Sequence, residues 1–159
     1  MRKNIIVMGV SGSGKSTIGQ MVADRYNIEF IDADDYHPES NKQKMANGQP
    51  LNDDDRLPWL EILHQQLIRK VPVVLGCSAL KASYRQLLDP EMAFHWIYLN
   101  GPRELILKRM KQRAHFMKPD MLDSQLETLE VPKTAHEISI DATPKEILKE
   151  ITTVIDAKV

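Results

Sequence analysis

The stretch Gly9-Val10-Ser11-Gly12-Ser13-Gly14-Lys15-Ser16, preceded by the apolar run Ile5-Ile6-Val7-Met8 and followed by residues at helical spacing, decides how this chain is read. It meets every fixed position of the phosphate-binding pattern G-x-x-x-x-G-K-[ST]. Glycines there permit a tight turn whose successive backbone N–H groups face phosphate oxygens, and the positive end of the following helix adds to that field. Gly9, Ser11, Gly12, Ser13, Gly14, Lys15, Ser16 and Thr17 are accordingly the candidate nucleotide-binding residues. Lys15 is expected to reach the β- and γ-phosphates, Ser16 to offer its hydroxyl to Mg2+, and Thr17 to begin the helix beside them. The competing reading is a glycine-rich turn with no ligand. A strand pattern before the loop and a helix pattern after it weigh against that.

Outward from the loop, strands and helices alternate. Ile5 to Met8 predicts a first strand, Glu29-Phe30-Ile31 a second, Val71 to Cys77 a third, Ala93 to Leu99 a fourth and Glu137 to Ile140 a fifth. Helical spacing follows Ser16, runs from Pro38 to Asn47, and begins again behind Asn52, a good cap backed by Asp53, Asp54 and Asp55. Pro58 is expected to restart or bend that helix. Further helices are predicted around Tyr84 to Leu88, Leu105 to Met110, Met121 to Leu129 and Pro144 to Ile155. This order predicts an α/β chain in three layers, with a central five-stranded parallel sheet flanked by helices. Active residues in such a sheet belong at the carboxyl ends of its strands, where the phosphate loop, Asp32 with Asp34, and Ser78 with Lys81 all fall. If the chain stays extended past Ile31, Asp32 and Asp34 point to one side and Asp35 to the other.

Composition narrows the partners. The 159 residues suit one domain, residues 1–159, and a formal charge of −1 leaves no basic surplus for nucleic acid. Cys77 is the lone cysteine, so no intrachain disulfide can form. The apolar stretch behind Met1-Arg2-Lys3-Asn4 is too short for a signal peptide or a membrane span, and a cytoplasmic protein is expected.

Other nucleotide-loop classes fit poorly. A guanine-nucleotide switch needs N-K-x-D, but Asn41-Lys42-Gln43-Lys44 lacks the aspartate. After Val73-Val74-Leu75 the usual strand-end aspartate is replaced by Gly76-Cys77-Ser78, and the carboxylates come instead behind the second strand, as in small-molecule kinases of the shikimate-kinase and nucleoside-monophosphate-kinase type. The further blocks Asp32-Ala33-Asp34 with His37-Pro38, Asn41, Lys44-Met45, Gly48, Pro50 to Arg56, Pro58-Trp59-Leu60, Cys77 to Lys81, Tyr84-Arg85 and Gln125 to Glu130 sharpen this. Over nearly its whole length the chain resembles the small, phosphate-loop gluconokinases. The resemblance implies ATP-dependent phosphorylation of D-gluconate to 6-phosphogluconate, dependence on Mg2+, and a homodimer. It also implies a helical substrate-binding region at about 38–70 and a lid at about 111–130. The alternatives are a related kinase for another hydroxy acid such as shikimate, and a non-catalytic nucleotide-binding module.

Phosphoryl transfer needs neutralised phosphates, an aligned hydroxyl and a proton acceptor. Lys15 and Mg2+ supply the first. Asp34 is the candidate to orient the gluconate hydroxyl and take its proton, and Asp32 to help Ser16 hold the metal, though the two roles can be exchanged. Gluconate is an anion, and Arg56 can grip its carboxylate with two parallel hydrogen bonds; the plainer use of that residue is an ion pair with Asp53 or another neighbouring aspartate. His37 is a substrate-side candidate, and Lys81 and Arg85 are candidates for substrate or phosphate, one rather than both. Arg109 and Arg113, four residues apart, resemble the basic lid of these kinases, with Arg113 placed among the catalytic residues and Arg109 on the nucleotide.

Overall fold

Val7 and its neighbours Ile5, Ile6 and Met8 are wholly inaccessible to solvent, the condition of a strand paired on both edges and covered on both faces. The computed structural model describes residues 3–112 and 119–157. In it β1 (Ile5–Met8), β2 (Glu29–Asp32), β3 (Val73–Cys77), β4 (His95–Asn100) and β5 (His136–Ser139) form one sheet in the order β2-β3-β1-β4-β5. Every pairing is parallel, with Val7 opposite Gly76 on one side and Ile97 on the other. The five strands fall where the sequence pattern puts them. Their ends shift by a residue or two, because Pro72 cannot donate to the ladder and the third strand starts behind it.

The helices are α1 (Lys15–Tyr26), α2 (Glu39–Ala46), α3 (Asp53–Lys70), α4 (Ala82–Leu88), α5 (Arg103–Lys111), α6 (Pro119–Thr128) and α7 (Pro144–Asp156). They flank the sheet and complete the three-layer α/β kinase fold. α7 shows how the sequence makes such a layer. Thr143 caps its first turn by accepting the Glu146 N–H, Pro144 sits where no donor is needed, and Ile147, Ile151 and Ile155 recur every fourth residue on the buried face. α3 carries the expected cap in full: Asn52 Oδ1 accepts the Asp55 N–H, and the Asp55 carboxylate accepts the Asn52 N–H.

Two local expectations give way. α3 is one continuous helix through Pro58, which lies six residues past the cap, where the ring removes a single intrahelical bond while Trp59, Leu60, Leu63 and Leu67 anchor the helix to the core. The chain also does not stay extended beyond Asp32. Ala33–Tyr36 winds into a 3-10 turn, capped by Asp32, so strand alternation does not set the direction of Asp34 and Asp35. The phosphate loop leaves β1, the strand from which the chain builds first toward β2 and β3 and then toward β4 and β5. A crevice therefore opens beyond the carboxyl end of β1.

Candidate active site

Gly12 and Gly14 hold φ of +84° and +98°, conformations that side chains rarely adopt, and a Cβ on Gly12 would lie 2.5 Å from Met110 Cγ of α5. The loop from Gly9 to Gly14 is thus a glycine-dependent cradle clamped against α5 and opening onto α1. Lys15 Nζ curls back to donate to the Val10 carbonyl at 3.0 Å. The Ser11 N–H donates to Gln125 Oε1 of α6 at 2.8 Å, and Gln125 Nε2 donates in turn to Ser11 Oγ at 3.2 Å. One loop amide that could meet a phosphate oxygen is therefore held by a neutral side-chain oxygen.

The acidic side of the crevice begins at the last residue of β2. Asp32 Oδ2 accepts from Ser16 Oγ at 2.7 Å and its Oδ1 accepts from the Asp34 N–H at 3.0 Å. A serine hydroxyl touching a carboxylate beside a phosphate cradle fits a hard cation such as Mg2+, which takes one or two protein oxygens and completes its shell with phosphate and water. Asp34 makes no hydrogen bond through its own carboxylate among the described residues, and its side chain is 78% accessible. Even so its carboxyl is held above the usual range. Protein crowds it at the base of the crevice and thins its hydration, Asp32 and Asp35 add like charge, and Lys15 opposes all three. A carboxylate on the floor of a cleft meets solvent on one side and protein on the others, which is why an exposed group is also poorly hydrated.

Facing Asp34 is a buried polar wall. His37 stacks on Trp59 with ring centroids 4.1 Å apart, and Trp59 Nε1 donates to the Ala33 carbonyl at 2.7 Å. Burial, with Arg56 and Lys42 nearby, drives the His37 pKa down to about 4, so the ring is neutral at physiological pH. Arg56 is only 9% exposed and donates through Nη1 to the Tyr84 hydroxyl at 3.0 Å, with its guanidinium 5.4 Å from that ring's centre. No carboxylate lies within ion-pair distance of it among the described residues. The expected alternative, Asp53, is taken instead by Lys81 Nζ at 2.9 Å and by the Tyr84 hydroxyl, and both hold its carboxyl below the usual range. The phenol bridges the two, accepting from Arg56 and donating to Asp53.

Ser11, Lys15, Asp34, His37 and Arg56 line a single cleft with Trp59, Ser78 and Gln125. Ser16 and Asp32 stand at its edge. Three other predicted residues stand elsewhere. Lys81 is engaged with Asp53. Arg85 fastens backbone, donating to the Ala79 and Glu130 carbonyls at 2.7 and 2.9 Å. Arg109 donates to the Ile140 carbonyl at 2.5 Å, just past the carboxyl end of the edge strand β5. Thr17 is exposed on the first turn of α1, and Arg113 lies outside the described residues. Asn41, Trp59, Tyr84 and Gln125 carry no role in the sequence reading although they build the wall, and Ser78, expected at the carboxyl end of the third strand, lines the cleft. Asn41 and Gln125 left a trace: each shares a helical face with a methionine four residues away, Met45 and Met121, and both methionines line the cleft. A polar side chain on such a stripe needs a polar partner.

The chain matches the sequence profile of the shikimate kinase family over residues 11–156. It is 44% identical over 174 aligned positions to a probable gluconokinase of Mus musculus, covering 95% of this chain and 94% of that one. To the thermoresistant gluconokinase of Escherichia coli (strain K12) it is 47% identical over 136 positions, covering 80% and 76%. The crystal structure of a gluconokinase from Sinorhizobium meliloti 1021 superposes with a TM-score of 0.92 at 39% identity, covering 98% of this chain and 93% of that one.

Proposed function

This chain belongs to the gluconokinases within the shikimate kinase family, and from that membership we propose that it transfers the γ-phosphoryl group of ATP to the terminal hydroxyl of D-gluconate, giving 6-phosphogluconate. The observation that carries the assignment to this cleft is Arg56, a buried guanidinium with no carboxylate at ion-pair distance among the described residues, facing the same space as Lys15 and Asp34. A buried cation left unpaired by the protein is costly unless a substrate anion completes it.

In this reading the phosphate loop and Lys15 neutralise the β- and γ-phosphates, and Arg56 holds the gluconate carboxylate at the opposite end of the cleft. Asp34 accepts the proton of the terminal hydroxyl as its oxygen bonds to the γ-phosphorus and the bond to the β–γ bridging oxygen breaks. Its raised proton affinity suits that task, since a better base is a stronger acceptor. Ser16 and Asp32 would hold Mg2+, which supplies charge neutralisation on the phosphates. The segment at about 38–70 forms the substrate wall, and the lid at about 111–130, with Arg109 and Arg113, closes over the nucleotide. The exposed Ile62 of α3 and Leu87 of α4, flanking one groove with Pro58, support a homodimer. Among the described residues no helix is long and apolar enough to cross a membrane, and the cytoplasm is the proposed compartment.

The test is a coupled assay with ATP and Mg2+ offering D-gluconate and shikimate side by side. A kcat/KM for gluconate far above that for shikimate is expected. Preference for shikimate, or ATP binding with no phosphorylated acceptor, would overturn the assignment.

A further inference from the structure

The orientation of the His37 ring is fixed from two sides, which leaves only one question, namely which nitrogen carries the proton. His37 is 7% exposed, and its plane is set by the stack on Trp59, 17° from parallel. Asn41, 2% exposed on α2, settles the proton. Its Nδ2 lies 2.9 Å from the Asp55 carbonyl oxygen and 3.2 Å from His37 Nδ1. A backbone carbonyl can only accept, so the atom facing it is the amide nitrogen, which has two hydrogens and nothing with which to accept. Both hydrogens are thereby assigned, one to Asp55 and one to His37. Nδ1 must be the acceptor, and in a neutral ring the proton then sits on Nε2.

Nε2 faces the Asp34 carboxylate, 3.8 Å from Oδ1. That gap is too long for a direct hydrogen bond, and a single oxygen can lie at hydrogen-bond distance from both atoms. We propose that Asn41 is a positioning residue that fixes His37 as the Nε2–H tautomer, and that this N–H donates to the gluconate hydroxyl whose proton Asp34 accepts. The proposal rests on the kinase reading above for the identity of the hydroxyl, and on geometry alone for the tautomer. Its consequence is directional. A hydroxyl oxygen with its hydrogen committed to Asp34 and one lone pair committed to His37 has one lone pair left, aimed by the other two. The opposite tautomer would set two acceptors, Nε2 and the carboxylate, against one hydroxyl hydrogen.

Nitrogen-15 NMR of the free protein tests the tautomer without any substrate: the His37 spectrum is expected to show an unprotonated Nδ1 and a protonated Nε2, and the reverse pattern would overturn the proposal whatever the enzyme phosphorylates. Asn41→Asp replaces the donor by an acceptor and is expected to exchange the two nitrogen signals. It should also lower kcat/KM for gluconate by roughly tenfold to a hundredfold, the scale of one lost active-site hydrogen bond, mainly through kcat. A lowered rate with an unchanged ring pattern would mean that Asn41 acts only through packing, and would also overturn it. Should Asn41→Asp fail to fold, His37→Gln and His37→Leu decide. Glutamine can present an N–H near the Nε2 position and is expected to retain at least about tenfold more activity than leucine. Equal activity in the two variants would refute donation by Nε2.

Discussion

Replacing Arg56 by methionine removes a buried cation that has no carboxylate within ion-pair distance among the described residues, while roughly keeping the volume it fills beside Tyr84. If the guanidinium grips the gluconate carboxylate, the variant strands a desolvated anion in the cleft. Breaking one side of such a pair costs about 3–5 kcal/mol, or roughly 10²- to 10⁴-fold in kcat/KM. Arg56→Lys keeps the charge but loses the two-pronged geometry, and should cost roughly 10- to 100-fold, carried mainly by KM. Folding should respond in the opposite sense. Methionine ends the burial of an unpaired charge and gives up one hydrogen bond to a phenol that still donates to Asp53, so the melting temperature is expected to stay level or rise.

The decisive assay compares gluconate with D-glucitol, the neutral polyol of the same length, in wild type and Arg56→Met. The large loss should appear with gluconate only, and glucitol turnover should change by less than about threefold. A folded Arg56→Met enzyme with an unchanged gluconate KM would refute the reasoning. So would equal losses for the two substrates, because the guanidinium would then be shaping the cleft rather than reading a carboxylate.

Lys15→Ala should lower kcat by roughly 10²-fold or more with the circular dichroism unchanged, the scale of deleting a preorganised charge at the phosphates; a near-normal rate would contradict the role given to it. Asp34→Asn should abolish turnover, and in the wild type the acid limb of the pH profile should be displaced upward from the ordinary aspartate range because the folded protein raises this carboxyl. The same raised proton affinity means that ionising Asp34 works against folding. Its contribution to stability is present below the unfolded pKa of 3.8 and lost as pH rises through the folded value, so Asp34→Asn should be at least as stable as wild type at neutral pH, which urea titration would measure. Ser16→Ala removes the hydroxyl that touches Asp32 and should raise the Mg2+ concentration needed for half-maximal rate severalfold, with a smaller effect on gluconate KM; equal Mg2+ curves would separate Ser16 from the metal.

The sheet was legible because the signals that define it are local: continuous apolar runs for buried strands, Asn52 and Thr143 for helix starts, and a glycine pattern that only one kind of loop demands. Lys15, Asp34, His37 and Arg56 could likewise be picked out, since each is a chemical type that the reaction needs at the end of a predicted element. Lys81 and Arg85 could be picked out by type but not by partner. Whether a surface cation faces a substrate or Asp53 depends on residues 28 positions away, and composition carries no such distance. Asp34 was also placed by the wrong geometry, because alternation presumes an extended chain. Asp32 instead turns its carboxylate onto the Asp34 N–H and winds the backbone into a 3-10 turn.

The helix α6 ties these separate pieces together in a way that no single motif announces. Gln125 holds the phosphate loop through Ser11. Five residues later, two past the end of α6, Glu130 holds the loop after β3, its N–H donating to the Leu80 carbonyl at 2.7 Å and its carboxylate accepting the Ala82 N–H at 2.9 Å. Arg85 closes the same junction by donating to the Glu130 carbonyl. The nucleotide side and the substrate side of the cleft are therefore fastened to one short segment, and its two polar grips explain why Gln125 and Glu130 flank the block Gln125 to Glu130 while Leu126 and Leu129 between them pack against the core. A phosphate oxygen arriving at the Ser11 N–H would compete with Gln125 Oε1 for one hydrogen, and a negatively charged acceptor forms the stronger bond. An acceptor that takes the Ser11 N–H therefore acts on the same segment that Glu130 fastens to the substrate side of the cleft.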